Sequence, residues 1–139
     1  MSVITKKIKL STKGDTDIIN ITEKVREITD RSGLDNGSVA VFVPGATAGI
    51  TTVEYEPGLV QDMKDFFEKI SPKAAKYNHN TKWGDGNGYA HVRASCLGPG
   101  LTVPLIDKKL SLGTWQQIIL IDFDNRARDR EVIVQIIGE

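Results

Sequence analysis

The chain has 139 residues, 40% apolar and 26% charged, and its 18 basic side chains match its 18 acidic ones. This is enough for one domain with a real core, residues 1–139, and zero net charge argues against nucleic acid or an anionic membrane as the main partner, although a local basic patch stays open. One cysteine, Cys96, excludes an intrachain disulfide, and with no apolar leader or bilayer-length run a cytoplasmic protein is expected.

Val3 to Leu10 alternates Ile4, Ile8 and Leu10 against Lys7 and Lys9, the pattern of a half-exposed strand. After Gly14-Asp15, Asp17 to Ile21 reads as a return strand, giving an N-terminal hairpin. Thr22 is placed to cap a helix with Val25 and Ile28 inward, stopped at Gly33. Ser38 to Val43 is a β-branched strand. The small-residue loop Pro44 to Gly49 either leaves room for a ligand at the backbone or merely connects strands. Ile50 to Glu56 alternates again and carries Glu54. Pro57 opens a helix in which Leu59, Val60, Met63, Phe66, Phe67 and Ile70 recur at three- and four-residue steps, the spacing of core.

Tyr77 to Tyr89 reads as loop. His91 to Leu97 alternates, and a strand there would put His91, Arg93, Ser95 and Leu97 on one face, with Val92, Ala94 and Cys96 on the other. Cys96 and Trp115 then read as packing residues. Leu101 to Ile106 is a strand held to an edge or bulge by Pro104. Trp115 to Phe123, with four consecutive aliphatics, is the longest strand and a central one. Arg126, Arg128 and Arg130 fall in a charged turn, a solvated face or subunit contact. Glu131 to Ile137 closes the sheet. The expected class is α+β, largely antiparallel sheet with two main α-helices.

The chemistry-bearing residues concentrate between Tyr77 and Pro99. Both histidines, His79 and His91, flank Gly84-Asp85-Gly86-Asn87-Gly88. Glycines let the chain fold back there and bring two imidazoles together. Two imidazoles and a carboxylate are a minimal site for a divalent ion such as zinc or magnesium, and equally two hydrogen-bonded surface histidines. Arg93 beside a glycine-rich loop suits a phosphate or carboxylate, or pairs internally with Asp85 or Glu54. Loop amides around Gly45 to Thr47 or Gly84 to Gly88 offer an anion nest. Asp85, Asn87 and Glu54 are candidate acid, base or supporting groups, with turn chemistry the alternative for Asp85 and Asn87.

Several runs together carry a resemblance: Ala48-Gly49-Ile50-Thr51 with Glu54, Tyr77-Asn78-His79, the 84–88 loop with His91, and Arg93-Ala94-Ser95. It continues through Leu97-Gly98-Pro99, Leu101-Thr102-Val103-Pro104, Leu112-Gly113-Thr114-Trp115-Gln116 and Phe123-Asp124-Asn125-Arg126. The chain resembles the YjbQ family, also described as secondary thiamine-phosphate synthases, over nearly its whole length. The resemblance implies a cytosolic α+β homotrimer with sites near subunit boundaries. The implied activity couples a pyrimidine diphosphate to a thiazole phosphate with loss of pyrophosphate. His79, His91, Glu54 and Arg93 are then the expected catalytic residues, with His79 and His91 holding any metal. Thr47, Asp85, Asn87 and Ser95 are expected to touch a phosphorylated ligand. Family members usually carry Pro-His-Thr-Thr-Ala-Gly where this chain has Pro44-Gly45-Ala46-Thr47-Ala48-Gly49. Gly45 thus replaces a third imidazole, and the alternative is a module that binds a phosphorylated ligand or metal without efficient catalysis.

Overall fold

In the computed structural model, which describes residues 1–139, eight strands and four helices succeed one another. They are β1 (Ser2–Thr12), β2 (Asp17–Asn20), α1 (Thr22–Asp30), β3 (Gly37–Phe42), β4 (Ala48–Val53), α2 (Pro57–Ile70), α3 (Asn78–Trp83), α4 (Gly88–Leu97), β5 (Gly100–Ile106), β6 (Lys109–Leu110), β7 (Gln117–Asp122) and β8 (Arg128–Gly138). Two sheets form, β1-β8-β3-β5-β6 and β2-β7-β4, and every pairing is antiparallel. The class is α+β in one domain.

β7 explains the layering. Its period of two sends Ile118 and Leu120 into the core between the sheets, and Ile119 and Ile121 into a second core under the helices. The first core includes Ile8, Val39, Val41, Val132, Val134 and Ile136. The second joins Phe67 of α2, Tyr89, Ala90 and Ala94 of α4, and Phe123. The layers therefore run large sheet, small sheet, then α2 and α4, while α1 puts Val25 into the core between the sheets. β8 carries the large sheet's inward residues at even positions, and Arg128 and Arg130 share the parity of Val132, Val134 and Ile136. The opposite face of that sheet leaves Val3, Phe42, Ile106 and Ile137 exposed.

Several sequence expectations are corrected. β1 and β2 form no hairpin, because β1 pairs with β8 and β2 with β7 in the other sheet. α1 takes its cap from Asn20, whose Oδ1 accepts from the Thr22 amide at 3.1 Å, while the Thr22 hydroxyl accepts the Ile118 amide at 2.8 Å. β7 is central but covers six residues, against eleven in β1 and in β8. Trp115 lies outside it and is exposed, as are Cys96 and Phe66. α2 forms where expected, with Pro57 at its first turn and the Glu56 carboxylate accepting from Gly58 N at 2.8 Å, but of its expected core stripe only Phe67 is buried, and Phe66 and Ile70 are exposed.

The largest departure is residues 78–97, which form two helices and no strand. The buried positions of α4 are Gly88, Tyr89, Ala90, Arg93 and Ala94, a helical stripe; the alternation from His91 to Leu97 fits both periods, and length and alanine content favour helix. Gly88 sets the joint with α3: a Cβ there would lie 2.6 Å from the Tyr77 Cβ and 2.9 Å from the Asn80 Oδ1. Its bare backbone lets α3 fold onto the start of α4, and its amide donates to that Asn80 oxygen at 2.9 Å.

Candidate functional site

The joint between α3 and α4 brings the two imidazoles together, with ring centroids 4.2 Å apart and planes inclined by 39°. They form one wall of a cleft of about 470 Å³ whose other residues include Thr47, Trp83, Asp85, Asn87, Asp124, Arg128 and Arg130. His79 Nδ1 lies 3.7 Å from Asp85 Oδ1, beyond hydrogen-bond reach, and is buried without a partner.

Two buried carboxylates support the cleft: Asp124, which lines it, and Asp122, which lies behind Arg130 and outside the lining. Asp122 receives Arg130 Nε on Oδ2 at 2.8 Å and Nη2 on Oδ1 at 3.0 Å, and the Thr12 hydroxyl on Oδ2 at 2.7 Å. Asp124 Oδ2 accepts the Thr47 hydroxyl at 2.9 Å and Arg128 Nε at 3.0 Å. Its Oδ1 accepts the Asn125 amide at 2.8 Å and Asn87 Nδ2 at 3.3 Å. Burial pushes the Asp124 carboxyl up, but these hydrogen bonds, led by Thr47, outweigh it and hold the group below the usual carboxylate range. Asp124 is therefore ionised at neutral pH. Burial first, and then the charge of His79, lower the pKa of His91, against weaker pulls from Asp124 and Asp85. His91 is thus a neutral imidazole near pH 7.

Each arginine keeps one edge free. Arg130 spends Nε and Nη2 on Asp122 and Thr47, and Arg128 spends Nε and Nη2 on Asp124, so neither Nη1 is hydrogen-bonded within the chain. Because each guanidinium is matched by a buried carboxylate, the cleft draws an anion through oriented N–H donors more than through net charge. At Gly45 a Cβ would sit 2.9 Å from Arg130 Nη1, so the arginine fills the space where a side chain at 45 would begin.

The sequence-expected residues divide. His79, His91, Thr47, Asp85 and Asn87 line the cleft. Ser95 lines an adjoining recess with Gly45, Ala46 and His91, its hydroxyl donating to the His91 carbonyl at 2.8 Å. Arg93 is elsewhere: two residues along a helix is a turn of about 200°, so it points away from His91. It donates to the Ser71 carbonyl at 3.0 Å, Thr16 Oγ1 at 2.9 Å and Glu68 Oε2 at 2.6 Å, and lies 4.9 Å from the Tyr89 ring centre. That is an internal staple joining α2, α4 and the 14–16 turn. Glu54 is exposed just past the end of β4, whereas Thr47 precedes its start, and seven extended residues span about 20 Å. The residues missed are Asp122, Asp124, Arg128, Arg130 and Trp83. The signal for the arginines is the unbroken alternation Arg128, Arg130, Val132, Val134, Ile136, which marks both as inward-facing.

A family model described as UPF0047 protein YjbQ-like matches residues 6–139. The chain belongs to the YjbQ family. It is 35% identical over 139 residues to a UPF0047 protein of Methanothermobacter thermautotrophicus, covering 100% of this chain and 95% of that one. It is 39% identical over 129 residues to one from Archaeoglobus fulgidus, covering 92% and 97%. A solved structure from Sulfolobus solfataricus, described as a YbjQ-like protein of unknown function, superposes with a TM-score of 0.95 at 33% identity, covering 99% of both chains.

In this YjbQ chain the donor set does not fit a resident divalent ion. Every oxygen of Asp122 and Asp124 already accepts hydrogen bonds, two guanidiniums adjoin them, and His79, His91 and Asp85 form no converging cluster of three donors.

Proposed function

We propose that this protein is a small-molecule enzyme whose cleft holds a phosphorylated compound. The supporting observation is that two adjacent imidazoles share one cleft with the unengaged edges of Arg128 and Arg130. A neutral His91 keeps one ring N–H to donate, and with the neighbouring guanidinium N–H groups it would stabilise negative charge developing on a departing oxyanion. Thr47 and Asp124 fix the arginines' direction and so orient that charge.

The reaction we assign is the one the family resemblance implies. A thiazole-phosphate nitrogen forms a C–N bond to the pyrimidine methylene carbon as the C–O bond to pyrophosphate breaks, and pyrophosphate leaves with the bonding pair. No metal step is invoked. Against purified protein, a pyrimidine diphosphate and a thiazole phosphate, His91→Ala should lower turnover at least about tenfold with the fold intact. An unchanged rate would remove His91 from the chemistry.

Gly45 favours a second reading, a binding module without efficient chemistry. Calorimetry giving tight binding of the phosphorylated compounds with no product formed would select it. For the partner, we propose self-association, as the homotrimer of the resemblance, through the outer face of the large sheet, where Val3, Phe42, Ile106 and Ile137 are exposed. Sedimentation equilibrium returning the 15.3 kDa monomer mass would refute it. No helix is long and apolar enough to cross a membrane.

A further inference from the structure

Asn87 is 5% exposed, lines the cleft, and has a buried side-chain oxygen with no hydrogen-bond partner. Its orientation is not free. Nδ2 faces Asp124 Oδ1 at 3.3 Å, and a flipped amide would set oxygen against an ionised carboxylate. The atom left over is therefore an acceptor. A buried acceptor without a donor is costly, and a ligand that supplies one gains accordingly.

The same carboxylate binds Asn87 through Oδ1 and Arg128 through Oδ2. Asn87 and Arg128 are thus anchored on the two oxygens of one carboxylate and line the same cleft. A compact ligand satisfying both must present acceptor oxygens and a hydrogen-bond donor within a few bonds of each other. A fully ionised oxyanion supplies only acceptors. A phosphate monoester with one proton supplies both, since its P–OH donates and its other oxygens accept.

We infer that the cleft selects a singly protonated phosphate over oxyanions that carry no proton, with Asn87 Oδ1 receiving the P–OH hydrogen. This rests on the phosphorylated-ligand reading above and adds the protonation state and the residue that reads it. Charge alone would put a dianion such as sulfate first, because guanidinium edges favour the higher charge.

The test is calorimetry on the full chain at about pH 6, near the second pKa of a phosphate monoester. Methyl phosphate, sulfate and dimethyl phosphate serve as probes; sulfate is a dianion without a proton, and dimethyl phosphate a monoanion without one. Methyl phosphate should bind about tenfold or more tightly than either, the worth of one hydrogen bond to a buried acceptor. Asn87→Leu, checked for folding by its thermal melt, should bring the three affinities together. If sulfate or dimethyl phosphate binds as well as methyl phosphate to the wild type, the inference fails while the oxyanion cleft stands. If none of the three binds, the phosphorylated-ligand reading fails and the inference falls with it. Should the variant not fold, the wild-type ratio decides alone.

Discussion

The rings of His79 and His91 meet with their centres 4.2 Å apart and their planes tilted by 39°. A charge on one ring at that distance disfavours a charge on the other, which works against protonating His91. The folded pKa of His91 lies below its ordinary value, with burial the main cause and His79 the next. In the window just below about 6.5 the unfolded chain therefore binds more protons than the folded one. The associated stability is present above that window and lost as pH falls through it. Thermal melts should show the midpoint dropping on the acid side, and His91→Gln should flatten that slope. The same slope in the variant would assign it to another group.

Asp124 titrates lower and with the same sign. Its folded pKa is depressed, so its contribution is present above about pH 4 and lost on further acidification. Being fully buried against Arg128, it should also be costly to neutralise. Asp124→Asn is expected to destabilise the fold by about 1–3 kcal/mol in urea melts, the cost of losing a charged acceptor for buried donors while Arg128, a third exposed, stays hydrated. Glu131→Gln, which breaks an exposed pair with Lys7 at 3.1 Å, should cost less than about 1 kcal/mol.

Arg93 provides a control that separates fold from chemistry. Its three hydrogen bonds hold α2, α4 and a turn in which Gly14, Asp15 and Thr16 have φ of 75°, 51° and 62°. A left-handed threonine is strained and persists because its surroundings fix it. Arg93→Ala should lower stability by about 2–4 kcal/mol, yet leave ligand affinity in the surviving folded protein within about twofold. A large affinity loss at full stability would return Arg93 to the site.

Chelation addresses the metal question directly. With the carboxylate oxygens of the cleft already engaged, prolonged dialysis against a strong chelator should leave both the melting midpoint and the coupling rate unchanged. Loss of either, restored by zinc or magnesium, would show that His79 and His91 hold an ion after all.

Much of the fold is legible in the sequence because its periods are unambiguous there. α2 declares itself by Pro57 and a three-to-four spacing, and β7 by four aliphatics that can only be buried on both faces. Residues 91–97 satisfy both periods; length and alanine content lean toward helix, and packing against Phe67 and β7 selects it. That choice moves Arg93 out of the site. The histidine pair is legible through the glycine-rich connection between its members. The set of carboxylates and guanidiniums supporting the cleft is hidden because charged residues read as solvated, whereas here each sits opposite a buried partner. Only the parity of β8 betrays them.

The inward face of β8 begins as salt bridges and continues as hydrocarbon. Replacing Asp122, Asp124, Arg128 and Arg130 together with well-fitted aliphatic residues would extend the inter-sheet packing to the mouth of the sandwich, an exchange that often makes proteins more robust. Such a molecule would withstand more heat and recognise nothing. The natural chain is held short of its greatest toughness by the four residues that give it an opening.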